Sequence, residues 1–226
     1  VPILISNSTI PILGAVDTAV IGQLGDPSAL GAVGIGAIII TAIYWIFGFL
    51  RMGTVGLTSQ AFGARDHTEV DAMLGRCLII GFLAGLIIIV LHSIIFKFAL
   101  YMSPASSEVE GFASSYMGIR IYSAPAAISL FGITGWLIAL ERTKAILIVQ
   151  LLMNSLNIFF DILFVSYFKW EIEGVAYASL IAECSGLIAG LYFCRDRLIA
   201  KGFFYLPRVF DKIRLAKMIS VNSDIL

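Results

Sequence analysis

The sequence has little charge for its length of 226 residues. Asp, Glu, Lys and Arg make up 13% of it, against roughly 25% in soluble domains, while 59% is hydrophobic. The 15 basic and 15 acidic side chains cancel, so net charge does not indicate a nucleic-acid partner and we expect none. This composition excludes an ordinary soluble globular protein and indicates a membrane protein that contacts the lipid bilayer directly.

The chain also has few cysteines and lacks the motifs of soluble enzymes. Cys77, Cys184 and Cys194 lie in apolar surroundings without metal-ligand spacing, which argues against a disulfide framework or a zinc site. There is no phosphate-binding Gly-rich loop, no HExxH and no Ser/His/Asp or Cys/His arrangement with suitable spacing. We therefore expect a protein that is not an enzyme and has no cofactor or structural metal.

Six apolar runs have lengths near the 20 residues that a helix needs to cross about 30 Å of hydrocarbon. They lack the alternating polarity of β-barrel strands, and helices satisfy their own backbone hydrogen bonds in lipid. The fold class predicted is therefore an all-α polytopic membrane protein. The predicted segments are residues 2–24, 30–62, 73–101, 112–140, 145–168 and 174–194.

Basic residues are distributed unevenly over the connecting segments. Eleven Lys and Arg lie in the second and fourth connectors and the tail, whereas the other connectors carry only Lys97 and Lys169. The positive-inside rule therefore predicts that both ends of the chain are cytoplasmic. Residues 1–195 are expected to form one transmembrane lobe. Residues 196–226 mix basic and apolar residues and are predicted to be an amphipathic cytoplasmic linker to a second membrane half.

Four polar residues interrupt the apolar fifth segment, QLLMNSLNIFFDILFVSYF. Gln150, Asn154, Asn157 and Asp161 are spaced 4, 3 and 4 residues apart, so they form one stripe on a helix. If these side chains faced lipid, their hydrogen-bonding groups would have no partners, whereas partners are available in the bundle interior or in a water-filled cavity. The stripe is therefore predicted to face inward, where Gln150 and Asn154 can equally serve only to join helices through hydrogen bonds.

A second intramembrane carboxylate, Asp17, lies in the first segment. Asp17 and Asp161 are each seven residues before the outer ends of their segments, so both are expected roughly 10 Å below that boundary. Two carboxylates in a poorly hydrated pocket cannot both stay ionised at low cost, and Asn157 can add an amide oxygen. These residues form a candidate site for a proton or a cation. The structural alternative is hydrogen bonding between helices.

Other polar residues within the apolar runs are harder to assign. Glu183 lies near the same depth as the two aspartates. Arg51 and Arg120 are expected to pair with acidic groups or to extend to the membrane interface. Pro2 and Pro11 weaken the first helix, which makes it a candidate hinge or simply a kinked helix.

Several stretches together resemble the multidrug and toxic compound extrusion (MATE) transporters. The similarity runs from Val1 to about Arg197, and two stretches are closest to the DinF-type bacterial branch, FLRMGTVGLTSQAFGA and RIYSAPA. The stretches that carry the wider resemblance are VPILISNSTIPILGAVDTAVIGQLGDPSALGAVGIG, LTSQAFGARD, and Asn157 and Asp161 before GVAYASLIAE.

The resemblance implies a twelve-helix exporter of two six-helix lobes, of which this chain is the amino-terminal lobe. Its partner is then the second lobe of the same polypeptide, and its substrates are amphipathic or cationic small molecules exchanged for H⁺ or Na⁺ across a bacterial inner membrane. Asp17, Asn157 and Asp161 fall on the family's amino-lobe coupling site, and Ser179 falls where relatives often have Thr. Further lumen-lining residues expected are Gln150, Asn154, Ser179 and Glu183.

Two alternatives stay open at this point. A lipid-linked oligosaccharide flippase of the same superfamily would be favoured by a basic central cavity. A non-transporting membrane assembly subunit would need no titratable pocket at all.

Overall fold

The computed structural model describes residues 19–22, 26–103, 105–199, 209 and 211. Within these residues all regular structure is helical, and residues 19–22 form part of a helix in the first predicted segment. The other five predicted segments are confirmed as stretches long and apolar enough to span a membrane: Pro27–Gly63, His67–Met102, Ser107–Ala139, Thr143–Tyr167 and Glu171–Leu198.

These five stretches contain seven α-helices in the described part of the chain. The helices are α1 Pro27–Trp45, α2 Phe49–Gly63, α3 His67–Met102, α4 Ser107–Arg120, α5 Ala124–Ala139, α6 Thr143–Asp161 and α7 Glu171–Leu198. A 3₁₀ turn, Ile121–Ser123, joins α4 to α5, and a π-helix, Ile162–Tyr167, extends α6. The last helix ends three residues beyond the predicted lobe boundary at residue 195.

Two predicted segments are interrupted rather than continuous. The segment predicted at 30–62 breaks between α1 and α2, at a turn that ends at Gly48. The segment predicted at 112–140 changes to 3₁₀ geometry at Ile121–Ser123, just before Pro125 near the start of α5. Proline has no N–H and clashes with the carbonyl four residues earlier, so a regular helix cannot pass through this point undisturbed.

Side-chain caps define where α1 and α3 begin. Asp26 accepts a hydrogen bond from the backbone N–H of Ser28 at 2.8 Å, and Asp66 accepts one from Glu69 at 3.1 Å. Each carboxylate satisfies a backbone donor that has no partner within its helix and also favours the positive end of the helix dipole.

Close helix packing between α3 and α5 depends on two glycines. A Cβ atom at Gly81 would lie 2.8 Å from the Cα of Ser129, and one at Gly85 would overlap the backbone of Pro125. The absence of both side chains lets the two backbones approach, as is common between membrane helices.

Another face of α3 is apolar and exposed. Ile87, Val90 and Ile94 are 58%, 79% and 70% exposed. Exposing such an apolar face to water is unfavourable, whereas contact with lipid is favourable. This distribution fits a lobe that buries its polar groups and presents aliphatic side chains outward.

The end of the lobe where α3 begins is held by one buried and one partly buried ion pair. Arg76 is one of the eleven basic residues assigned above to the cytoplasmic connectors and tail, and its guanidinium is buried, pairs with Glu69 at 2.6 Å and donates to the carbonyl of Val209 at 3.0 Å. Arg197 on α7 pairs with Asp71 at 3.5 Å. Val209 belongs to the predicted linker, of which residues 196–199, 209 and 211 are described.

Candidate functional site

The predicted polar stripe lies on α6 and is turned away from lipid. Asn154, Asn157 and Asp161 are 8%, 1% and 0% exposed, while Gln150 is partly buried. Gln150 donates through Nε2 to Asn154 Oδ1 at 3.4 Å, which links adjacent members along the helix. The inward orientation that the 4-3-4 spacing predicts is therefore what the structure contains.

Helix α7 supplies the polar partner of this stripe. Asn157 Nδ2 donates to Ser179 Oγ at 3.3 Å, and both side chains are buried. The other end of the amide, Asn157 Oδ1, is buried and accepts no hydrogen bond from the described residues. A buried carbonyl oxygen of this kind is available to a cation or to a proton carried on a neighbouring group.

Asp161 stands at the point where α6 changes its helical geometry. It is the last α-helical residue, and the π-helix Ile162–Tyr167 follows directly. The Phe168 N–H bonds to the Leu163 carbonyl at 3.0 Å, five residues back. π-Helical turns are rare and are frequently found at functional sites.

The predicted partner of Asp161 lies outside the described residues. This applies to Asp17 and equally to the candidate hinge residues Pro2 and Pro11. The shared pocket of two aspartates and the bending of the first helix therefore stay predictions.

A cavity of about 240 Å³ lies beside the stripe, between α1, α2, the end of α4, α5, α6 and α7. Gln150 and Glu183 both line it, so the end of the stripe opens onto this cavity. Its apolar wall includes Trp45, Phe131 and Met153. The cavity thus combines apolar walls with a few polar groups, as small-molecule sites do.

An ion pair forms part of the cavity wall. Arg120 Nη2 contacts Glu183 Oε1 at 2.9 Å, and the side chains are 12% and 17% exposed. The expectation that Arg120 pairs with an acidic group is confirmed, and Glu183 is placed at the cavity. Arg51 lines the same cavity but forms no hydrogen bond or ion pair with the described residues.

Tyr44 is a site residue that the sequence does not reveal. Its hydroxyl donates to the backbone carbonyl of Arg120 at 3.0 Å and lies 3.1 Å from Ser123 Oγ. The bond holds the end of α4 against α1 next to the ion pair. A single tyrosine in an apolar helix forms no repeating pattern in the sequence, so its role becomes visible only when α1 is seen packed on α4.

The described residues hold no cluster of three or more His, Cys, Asp or Glu side chains suited to a metal ion. The buried oxygen-bearing side chains on α6 and α7 instead include one carboxylate, one amide and one hydroxyl: Asp161 one helical turn after Asn157, and Ser179 bonded to Asn157. Oxygen donors of this kind suit a hard monovalent cation or a proton rather than a transition metal.

These features define a polytopic helical membrane protein with a buried polar site and a ligand-sized cavity between its spans. The family model described as MatE matches residues 2–163, so the chain belongs to the MatE family. This is a family of transporters and not of enzymes; one solved member is described as a multidrug resistance MATE family transporter.

Relatives support this assignment. The chain is 34% identical over 226 residues to DNA damage-inducible protein F of Escherichia coli, covering 100% of this chain and 49% of that protein. It is 24% identical over 193 residues to multidrug export protein MepA of Staphylococcus saprophyticus, covering 85% of this chain and 42% of that protein. The first match confirms the resemblance to the DinF-type branch.

The fold also matches solved MATE structures. A crystal structure of MATE in the bent conformation has a TM-score of 0.86 and 21% identity, over 98% of this chain and 50% of that one. The chain thus spans about half the length of the relatives and structures it matches. It corresponds to the amino-terminal lobe of the MATE fold.

Proposed function

We propose that this chain is the amino-terminal half of a secondary active exporter that moves amphipathic or cationic organic molecules out of the cell. Export is driven by inward movement of H⁺ or Na⁺. The observation that carries the proposal is the buried group of Asp161, Asn157 and Ser179 within membrane-spanning helices. Intramembrane ionisable groups are costly and mark ion or proton pathways.

Ion binding at this group is proposed to involve Asp17, Asn157 and Asp161. The unused acceptor Asn157 Oδ1 supports a cation or proton at this place, because a buried oxygen without a donor is otherwise unfavourable. Binding neutralises carboxylate charge, and release restores it. The bistable element is proposed to be the first helix, with Asp17 on it and Pro2 and Pro11 weakening it.

The cavity lined by Gln150 and Glu183 is the proposed amino-lobe part of the substrate path. It adjoins the stripe through the Gln150–Asn154 hydrogen bond, so substrate and ion sites are joined by one polar row on α6. The second lobe of the same polypeptide is proposed to complete the path. The protein is proposed to lie in the bacterial inner membrane with both ends of this chain cytoplasmic.

The test is efflux from proteoliposomes that contain the full native polypeptide, with pH and Na⁺ gradients imposed separately. We expect a fluorescent amphipathic substrate to move only when one of the two gradients is present, and that gradient identifies the coupling ion. Efflux that is equal without any gradient, or absent with both, contradicts secondary active export. The second outcome would favour the assembly-subunit alternative.

The two arginines that line the cavity favour the flippase alternative. Arg51 and Arg120 both line the cavity, whereas Glu183 is its one acidic residue among those described. A lipid-linked oligosaccharide carries a phosphate-containing link, which guanidinium groups bind well. Scrambling of a fluorescent lipid-linked sugar without any ion gradient would favour that alternative.

A further inference from the structure

Among the described residues that line the cavity, positively charged side chains outnumber negatively charged ones. Two guanidinium groups, Arg51 and Arg120, face one carboxylate, Glu183, among the described residues that line it. Arg120 and Glu183 neutralise one another through their contact at 2.9 Å. Arg51 is the residue left over, because it has no hydrogen bond or ion pair with the described residues.

An uncompensated guanidinium within a membrane span is expensive. Arginine keeps its charge at any physiological pH, so Arg51 cannot avoid the cost by losing a proton. Within a bundle the cost is reduced by water or by an anionic partner. The planar guanidinium matches carboxylate, sulfonate and phosphate groups through two parallel hydrogen bonds.

The remaining walls favour an apolar body attached to that anion. Trp45, Phe131 and Met153 offer aromatic and thioether surfaces, and Gln150 adds an amide. The cavity volume of about 240 Å³ is below the roughly 300 Å³ at which ligand sites usually begin, so it accommodates only a small group such as a ring system with one charged substituent. A cation placed there would meet two guanidinium groups and one carboxylate, whose Oε1 is already paired with Arg120 while its Oε2 has no hydrogen-bond partner among the described residues.

We infer that this cavity binds the anionic end of an amphipathic substrate, and that Arg51 is the residue that selects for its charge. The inference rests on the proposed export function and narrows its substrate class to amphiphiles that carry an acidic group. Glu183 acts as the partner that keeps Arg120 from competing for the anion.

The experiment compares two probes of the same shape and opposite charge. These are 2-naphthalenesulfonate and 2-naphthyltrimethylammonium, and their binding to the full native polypeptide in detergent is measured by isothermal titration calorimetry. We expect the sulfonate to bind at least about tenfold more tightly than the ammonium probe, since a charge-assisted hydrogen bond supplies that difference.

Variants separate Arg51 from general charge effects. Arg51→Gln is expected to weaken sulfonate binding about tenfold or more, and Arg51→Lys to lose only a few fold, because it keeps the charge but not the paired hydrogen bonds. Lys144→Gln removes a positive charge from an exposed site outside the cavity and is expected to change nothing. Glu183→Gln is expected to leave sulfonate affinity equal or higher, because removal of the Glu183 charge makes the cavity more positive.

Equal affinity for the two probes, or unchanged sulfonate binding by Arg51→Gln, overturns the inference. If Arg51→Gln fails to fold, the sulfonate affinities of Arg51→Lys and Glu183→Gln provide the test. A site for a cation would lose affinity for the ammonium probe when Glu183 is replaced, whereas a site for an anion would keep its affinity for the sulfonate. Gradient-driven efflux is assayed on the same preparations. Efflux of a cationic dye without anion binding refutes only the inference, whereas anion binding without any gradient-driven efflux refutes only the proposed function.

Discussion

Asn157 on α6 and Ser179 on α7 join the two helices through one buried hydrogen bond of 3.3 Å. The asparagine uses its amide N–H₂ for this bond, which turns Oδ1 away from the hydroxyl and leaves it without a donor among the described residues. The contact therefore fixes which end of the amide is presented to the site beside Asp161.

Replacing Ser179 tests this orientation. Ser179→Ala removes the acceptor, so Asn157 can turn over, and we expect a loss of about 1 kcal/mol of stability together with weaker dependence of efflux on the driving gradient. Ser179→Thr keeps the hydroxyl and is the matched control, expected to behave as the native protein. Thermal unfolding in detergent and proteoliposome efflux provide the two measurements, and coupling unchanged in Ser179→Ala would contradict a positioning role.

Removing the carboxylate charge tests ion coupling. We expect Asp161→Asn to insert and bind substrate but to lose gradient-driven efflux, because an amide cannot release a proton or compensate a cation. Asp17→Asn is expected to do the same, and Asn157→Ala to weaken coupling without abolishing binding. If both aspartates serve one pocket, the double variant is little worse than either single one. Native efflux by both single variants would leave the carboxylates with a structural role only.

The Arg120–Glu183 pair predicts an asymmetric stability effect. Arg120→Met leaves a largely buried carboxylate without its partner and is expected to cost about 3 kcal/mol, whereas Glu183→Gln retains an acceptor and is expected to cost about 1 kcal/mol. Combining both changes should recover part of the loss, since no unpaired charge remains. A double-mutant cycle by chemical or thermal unfolding measures this. Strict additivity would mean that the contact contributes nothing.

Two glycines on different helices provide a packing test. Gly85→Ala places a Cβ against the backbone of Pro125 and is expected to destabilise the lobe by about 1–3 kcal/mol. Gly118→Ala on α4 is the control, because nothing lies within 4 Å of the new Cβ and alanine is the better helix former. Equal unfolding temperatures for the two variants would show that α3 and α5 can separate at no cost.

The uneven distribution of Lys and Arg predicts the orientation of the lobe. Single cysteines at Ser106 and Trp170 are expected to react with a membrane-impermeant reagent from outside, and a cysteine at His67 only after the membrane is opened. A background without Cys77, Cys184 and Cys194 is the control. Labelling of the His67 site in intact cells would reverse the assignment.

The sequence alone determined the class and the spans. The low charge and the recurring apolar runs are properties of composition, and a helix is the structure that satisfies its own backbone in lipid, so neither conclusion requires tertiary contacts. The inward face of α6 was also predictable, because the 4-3-4 spacing of Gln150, Asn154, Asn157 and Asp161 places polar groups on one side of any regular helix.

Local irregularities were not predictable to the same degree. Pro125 was not used to predict the break before α5, although a proline is compatible with one, and the π-helix after Asp161 has no comparable signal in ILFVSY, which is apolar and aromatic apart from Ser166. The rings of Phe164 and Phe168 in and after this segment pack against Trp170, stacked and tilted, at centroid distances of 5.0 and 5.7 Å. Such a fit arises only when α6 and α7 are packed.

Only the tertiary structure decided which polar residues meet. Arg51, Arg120 and Glu183 were visible as charges in apolar runs, but pairing Arg120 with Glu183 requires α4 to lie against α7, 63 residues further along the chain. Helix periodicity fixes the direction of a side chain relative to its own axis, and not the rotation of one helix against another. The relative rotation of the helices therefore decides that Arg120 meets Glu183 whereas Arg51 does not, and this difference sets the net charge of the groups that line the cavity.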